Sequence, residues 1–303
     1  NLEEYVRSEY GAVPLRDAIE KLLPNTTVTA VAGTGVVPSE PTDIPAAVAA
    51  AREADLVVLA VGGHSAWFGS TVTEGEGRDT ANIDLPPQQV ALIEAVTAVG
   101  KPTVAVLFMG RPYGLAAVID RLPAVLTAYY GGPHQGAAIA DAIFGVTNPG
   151  GKLPYTLPRH VGQVPIHHAQ KTGSGYRRTA VDIHKGYLDL PSTPLFAFGH
   201  GLSYTTFDYG PLTLASTSVD VSGDLELSLT ITNTGSRRGT EVVQLYAADT
   251  ATGVTRPAQQ LIGFARLDLE PGEAETVTFV VPLSLLAYTG LSGELVIEPG
   301  RSW

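Results

Sequence analysis

"ADLVVLAVGG", residues 54–63, decides the fold: its apolar positions run without alternation, valines fill its middle and glycines close it. A short run rich in β-branched side chains reads as a strand buried on both faces, as in parallel sheets. The same texture recurs in "TVTAVAG" (27–33), "PTVAVLFMG" (102–110) and "AVLTAYYGG" (124–132), which are read as further parallel core strands.

Helical patterns lie between these runs. Ile44, Ala47, Val48 and Ala51 fall at i, i+3, i+4 and i+7. Asp84 is expected to cap a second helix, with Pro86 and Pro87 in its first turn and Val90, Ile93 and Val96 facing inward. Leu115–Ile119 and Ala137–Phe144 supply two more candidates. Strand and helix in repetition give an α/β fold, a mostly parallel sheet sandwiched by helices.

Near residue 205 the texture changes to period two. "LELSLTITNTG" (225–235), "EVVQLYAADT" (241–250) and "AETVTFVVPL" (274–283) alternate apolar and polar residues between the turn signals "NTGS", "EPGE" and "LSGE". That pattern predicts a small antiparallel β-sandwich. The expected organisation is therefore an α/β domain over 1–160, a long Gly-, Pro- and aromatic-rich connector over 161–205, and a sandwich over 206–303.

Composition limits the function. The 303 residues suit two domains, and 44% hydrophobic with 16% charged residues, against about 25% charged in ordinary globular proteins, suits sizeable cores. A net charge of −11 repels phosphate backbones and anionic lipid, so neither nucleic acid nor a membrane surface is an expected partner. No run approaches the roughly 18 apolar residues of a membrane span. The absence of cysteine excludes disulfides, zinc thiolates and a thiol nucleophile. The chain starts at Asn1 without a methionine or apolar leader, so a processed product or a piece of something longer is expected. Compartment and homo-oligomerisation stay open.

Ligands of open α/β sheets bind beyond the carboxyl ends of the strands. Just there, "FGSTVTEGEGRDTANIDLPPQQ" (68–89) places Glu74, Glu76 and Asp79 on a loop of roughly 20 residues, where about 2–6 would turn the chain. Two carboxylates whose surroundings push their pKa values apart can divide acid and base work. Residues at i and i+2 in an extended loop face opposite ways, so only one of Glu74 and Glu76 is expected to face a substrate. Gly75 and Gly77 permit close approach and motion, as in a lid. A solvated acidic turn stays open beside the acid/base loop, and a calcium loop lacks the ligand alternation of an EF-hand.

Other residues carry paired readings. Trp67 and Phe68 either stack on a sugar face or pin the loop; His64 lies where substrate would pass or is structural; Arg78 and Asp79 orient the loop or form a turn. His167 and His168 are adjacent, which makes shared metal ligation awkward. Phe196, Phe198, Tyr204 and Phe207 read as packing. "GGHS" and "GTGVV" complete no phosphate-binding spacing, and no G-x-S-x-G elbow occurs.

The blocks "TEGEGRD…IDLPPQQ", "GRPYGL", "GGPHQGAAIADAIFGVTNPGGKLPYTLPR", "GQVPIHHAQKTG" and "PLFAFGHGLSYTTFDY" together resemble glycoside hydrolase family 3, the β-glucosidases and β-xylosidases. "TNTGSRRGTEVVQLYAAD" and "RPAQQLIGFARLDLEPGE" are similar to that family's C-terminal fibronectin type III-like domain, and the match runs in order over nearly the whole chain. The resemblance implies a retaining β-glycosidase whose aspartate nucleophile lies in an N-terminal (β/α)₈ barrel and whose acid/base glutamate lies on a loop of the following α/β domain. The family's G-E-G-x-D-R pattern falls on Gly75–Asp79 and carries the acid/base role to Glu76, with Glu74 in reserve; Thr80 stands where Arg is common. His64, Trp67, Phe68, Arg78 and Asp79 become the substrate-binding candidates, and no metal or cofactor is implied.

Nothing in the chain resembles the barrel. Retaining hydrolysis needs two carboxyl groups about 5–5.5 Å apart, so the nucleophile is expected from a barrel domain or chain outside this sequence. A C-terminal fragment, or one part of a nicked or split enzyme acting on an oligosaccharide or β-glycoside, is the leading expectation. A non-catalytic carbohydrate-binding or scaffold module of the same fold is the alternative.

Overall fold

The run at 54–63 forms strand β1 (Val57–Gly62), which pairs in parallel with β2 (Thr103–Phe108), itself parallel to β3 (Ala124–Thr127). The structure is a computed structural model and describes residues 2–66, 71–75, 77–171, 187–249 and 253–298. It divides into one unit of residues 1–147 and 157–164 and a second of 148–156 and 165–303.

In the first unit β2 is the central strand, and Ala105, Val106 and Leu107 are fully buried. Full burial contributes about 1.5–3 kcal/mol for a valine or leucine side chain, which explains the unbroken apolar run. Helices α1 (Leu2–Tyr10), α2 (Leu15–Leu22), α3 (Ile44–Glu53), α4 (Pro87–Thr97) and α5 (Gln135–Ile143) complete the unit. Ile139 of α5 packs with Val106 and Ala128, while Ala140 packs with Ala18 and Ile19 of α2. Helix α3 starts where its sequence predicts, with the Asp43 side chain accepting from the Ala46 amide at 3.0 Å.

Three local expectations fail. Residues 27–33 form no strand: Ala30, Val31 and Ala32 are exposed, while Val28 packs beside Ala18, Ile19 and Ala140. Asp84 does not cap α4. Pro86 occupies the cap position, and the Asp84 amide donates to Asn82 Oδ1 at 2.9 Å while the Gly114 amide reaches Ile83 O at 2.8 Å. Leu115–Ile119 makes only a turn followed by a 3₁₀ piece, Ile119–Arg121, which ends where Pro123 holds Leu122 away from helical backbone.

The second unit is built around β6 (Asp224–Asn233). Strands β4 (Phe207–Tyr209) and β5 (Thr213–Leu214) pair antiparallel with it, as does β9 (Ala274–Pro282). A second sheet pairs β7 (Gly239–Ala247) with β8 (Gln260–Leu269), and β10 (Tyr288–Thr289) pairs with β11 (Leu295–Val296). Leu227, Ile231, Val243, Leu245, Leu267, Leu269, Val277 and Phe279 form the core between the sheets. Segment 148–156 and residues 199–205 belong to this unit through specific bonds: Asn148 Oδ1 accepts from Ser203 Oγ and the Tyr204 amide, and its Nδ2 donates to Arg238 O.

Candidate active site

The carboxyl ends of β1, β2 and β3 converge on one side chain, Glu74, which is 2% exposed. Its Oε1 accepts from the Gly110 amide after β2, at 2.6 Å, and from the Tyr130 hydroxyl after β3; its Oε2 accepts from the Tyr113 hydroxyl at 2.9 Å. Arg111 Nε approaches Oε2 at 3.6 Å, and its guanidinium lies 4.7 Å from the centre of the Tyr113 ring. That Nε is buried without a hydrogen-bond partner among the described residues.

Glycine makes room for the carboxylate. A Cβ on Gly63 would lie 2.7 Å from Glu74 Cδ, and one on Gly110 would lie 3.1 Å from Glu74 Oε1. Burial, with the Glu74 charge and hydrogen bond adding to it, pushes the Tyr113 phenol up to about 12 and raises that of Tyr130. Both hydroxyls therefore stay protonated donors across the neutral range.

The rest of the loop is tied at discrete points. The Thr73 amide donates to His64 O at 3.0 Å and the His64 amide to Thr73 Oγ1 at 2.8 Å, while Thr71 Oγ1 lies 3.3 Å from His64 Nδ1. Past Glu74, the Arg78 amide donates to Gly75 O at 3.0 Å. Gly75 and Gly77 have φ of 126° and 68°, a region that a side chain disfavours. Arg78 and Asp79 are exposed. Gln89, buried on the first turn of α4, closes the end of β1: its Oε1 accepts from the Gly62 amide and its Nε2 donates to Gly62 O, both at 2.8 Å.

The structure brings His64 and Glu74 together at the strand ends and places Arg78 and Asp79 just beyond. Glu76, Trp67 and Phe68 lie outside the described residues. In the second unit His168 stacks on Phe198 with ring centres 4.3 Å apart, and burial lowers its pKa. Among the described residues no helix is long and apolar enough to cross a membrane.

A family model for the glycosyl hydrolase family 3 C-terminal domain matches residues 4–204. The chain belongs to glycoside hydrolase family 3. The fibronectin type III-like domain model matches residues 241–302, which covers most of the antiparallel sandwich. Among curated family 3 relatives, a β-xylosidase of Formosa agariphila is 42% identical over 84% of this chain and 34% of its own length. A periplasmic β-glucosidase of Salmonella typhimurium is 39% identical over 85% of this chain and 33% of its own. The chain thus spans about a third of the length of these relatives. Among solved structures, a β-glucosidase of Erythrobacter marinus superposes with a TM-score of 0.84 at 33% identity, covering 96% of this chain and 41% of that one. A β-glucosidase of Listeria innocua in complex with isofagomine superposes with a TM-score of 0.85 at 29% identity, covering 97% and 40%.

Gly63, Gly110, Arg111, Tyr113 and Tyr130 were not among the site candidates read from the sequence. "GRPYGL" and "AYYGG" carried a signal, since each follows a strand and puts tyrosine where a strand-end crevice opens. What local pattern lacked was their common partner.

Proposed function

We propose that this chain is the acid/base-bearing portion of a retaining family 3 β-glycosidase acting on β-glucosides or β-xylosides, with Glu76 as the acid/base. The nucleophilic carboxylate comes from a barrel outside these 303 residues, on the same polypeptide or another. In the first step that carboxylate attacks the anomeric carbon while the Glu76 carboxylic acid gives its proton to the departing glycosidic oxygen. In the second step the Glu76 carboxylate takes a proton from water, the water oxygen bonds to the anomeric carbon, and the nucleophile leaves. His64, Trp67, Phe68, Arg78 and Asp79 are the leaving-group-side contacts in this reading.

The observation that carries the proposal is the Glu74 cradle. It ties the acidic loop to the segments that follow β2 and β3 two positions before Glu76, so one glutamate is committed to holding the loop and the other is left for chemistry. Alternation along an extended segment favours the same division.

The test uses the chain together with a family 3 barrel. Glu76→Gln is expected to lose most of its activity on an aryl β-glycoside at the deglycosylation step and to regain part of it with azide, yielding a β-glycosyl azide, because a small anion replaces the missing base. Wild-type-like turnover without azide product would contradict the assignment. Sugar binding with no turnover by the wild-type pair would support the non-catalytic module instead.

A further inference from the structure

We propose that Tyr130 and Arg111 form a saccharide subsite, in which the Tyr130 ring is a platform for the pyranose ring of the leaving group and Arg111 donates hydrogen bonds to its hydroxyls. The inference rests on the glycosidase reading and goes beyond it by giving the leaving-group sugar contacts on residues outside the acidic loop.

Both side chains stand at the carboxyl ends of the parallel strands, where ligands of open α/β sheets gather. Arg111 follows β2 and Tyr130 follows β3. They are neighbours across a single carboxylate: the Tyr130 hydroxyl donates to Glu74 Oε1, while Arg111 Nε lies 3.6 Å from Glu74 Oε2.

Tyr130 is turned the opposite way from an ordinary surface tyrosine, which buries its ring and leaves its hydroxyl in water. Here the hydroxyl is spent on a side chain that is 2% exposed, yet Tyr130 itself is 47% exposed. One ring edge rests on Gly110, where a Cβ would come within 2.8 Å of Cε2 and 3.5 Å of Cδ2, so glycine lets the ring lie against the backbone. The remainder of the ring supplies the exposed apolar surface. A ring pinned at its hydroxyl and along one edge is ordered before any ligand arrives, so binding to it loses little side-chain freedom. The C–H face of a β-linked pyranose is flat and apolar, and it matches an aromatic face of this kind.

Arg111 supplies the polar half. Its guanidinium lies 4.7 Å from the centre of the Tyr113 ring, and its Nε is buried without a hydrogen-bond partner among the described residues. The separation from Glu74 is too long for a hydrogen bond. A buried donor left unpaired is costly, and an acceptor brought by a ligand removes that cost. The side chain is 24% exposed, so a ligand reaches the guanidinium from the solvent side. Glu74 already balances the arginine's charge, which favours neutral hydroxyls over an anion. A pyranose offers such hydroxyls around its rim while its face lies on the Tyr130 ring.

The experiment uses the chain together with a family 3 barrel. It compares kcat/KM for a β-linked disaccharide with kcat/KM for the methyl β-glycoside of the same sugar, which has no second ring to stack, and counts folded molecules by circular dichroism and thermal melting. Tyr130→Leu is expected to lower the disaccharide value about tenfold more than the methyl glycoside value, the weight of one stacked ring. Arg111→Lys keeps the charge beside Glu74 and loses the forked donors; it is expected to lower the disaccharide value about fivefold more, and it serves if Tyr130→Leu fails to fold. Tyr130→Phe keeps the ring and should keep most of the preference for the disaccharide.

Equal losses on the two substrates in the variants that fold overturn the inference while leaving the glycosidase reading standing. A preference lost as fully in Tyr130→Phe as in Tyr130→Leu also overturns it, because the hydroxyl and not the ring would then matter. Calorimetric titration of the same pair with the disaccharide covers the case without turnover. Binding without hydrolysis, weakened about tenfold in Tyr130→Leu, overturns the glycosidase reading and keeps the subsite. Binding without hydrolysis that Tyr130→Leu leaves unchanged, or neither binding nor hydrolysis by the wild-type pair, overturns both.

Discussion

At the scale of single residues, the loop's two glutamates show what a sequence can and cannot reveal. Alternation says that Glu74 and Glu76 face opposite ways, and the structure gives Glu74 an inward face. That it would be gripped by Gly110, Tyr113 and Tyr130 was not legible, because those partners lie 36, 39 and 56 residues away. The cradle also has a pH signature. Burial, followed by the charge and hydrogen bond of Glu74, lifts the Tyr113 phenol from 10.0 to about 12, against opposing contributions from Thr73 and Arg111. Between those values the unfolded chain has released a proton that the folded chain still holds, so stability falls as pH rises through this window. Urea midpoints measured across it should decline less steeply for Tyr113→Phe than for wild type. Tyr130, Tyr209 and Tyr288, whose phenols are also raised, contribute to the slope that remains. Identical slopes would contradict the cradle's electrostatics.

At the scale of elements, periodicity was a good guide where one face is buried and a poor one where context decides. Strand β7 alternates buried and half-buried positions along its whole length, and β9 alternates buried and exposed ones from Val277 onward, as their period-two sequences predict. Strand β8 escaped that reading because Gly263 interrupts it, Phe264 is 70% exposed and the register shifts opposite Leu245 and Tyr246. Residues 27–33 carry a strand's composition yet pair with nothing as a strand, since composition cannot supply a partner.

The sandwich also holds a buried ion pair that no period announces. Lys152 Nζ lies 3.1 Å from Glu241 Oε1 and donates to Gly201 O at 3.0 Å, while the Tyr209 hydroxyl donates to Glu241 Oε1 at 2.9 Å. Lys152→Met strands a carboxylate that is almost wholly buried and should cost about 3–5 kcal/mol in a denaturant titration; the double variant Lys152→Met/Glu241→Leu should recover most of that. A single variant that costs less than about 1 kcal/mol would show that the pair contributes little.

At the scale of the whole molecule, the chain offers a parallel sheet whose strand ends hold an acidic loop, and a separate antiparallel sandwich with its own core. Family membership was legible because long blocks survive in order, from the acidic loop to the last strands. An activity was not, since the chain spans about a third of the length of these curated relatives. The net charge of −11 suits a neutral glycoside better than a polyanion.

The most direct measurement of the proposed proton donor is the dependence on leaving group. With the barrel supplied, Glu76→Gln should slow cleavage of a β-linked disaccharide, whose leaving alcohol needs a proton, by about 10²- to 10⁴-fold. It should lower kcat/KM for a dinitrophenyl glycoside, which reports the glycosyl-transfer step and whose leaving group departs unaided, far less. Equal losses of kcat/KM on the two substrates, or none on the disaccharide, would contradict the account.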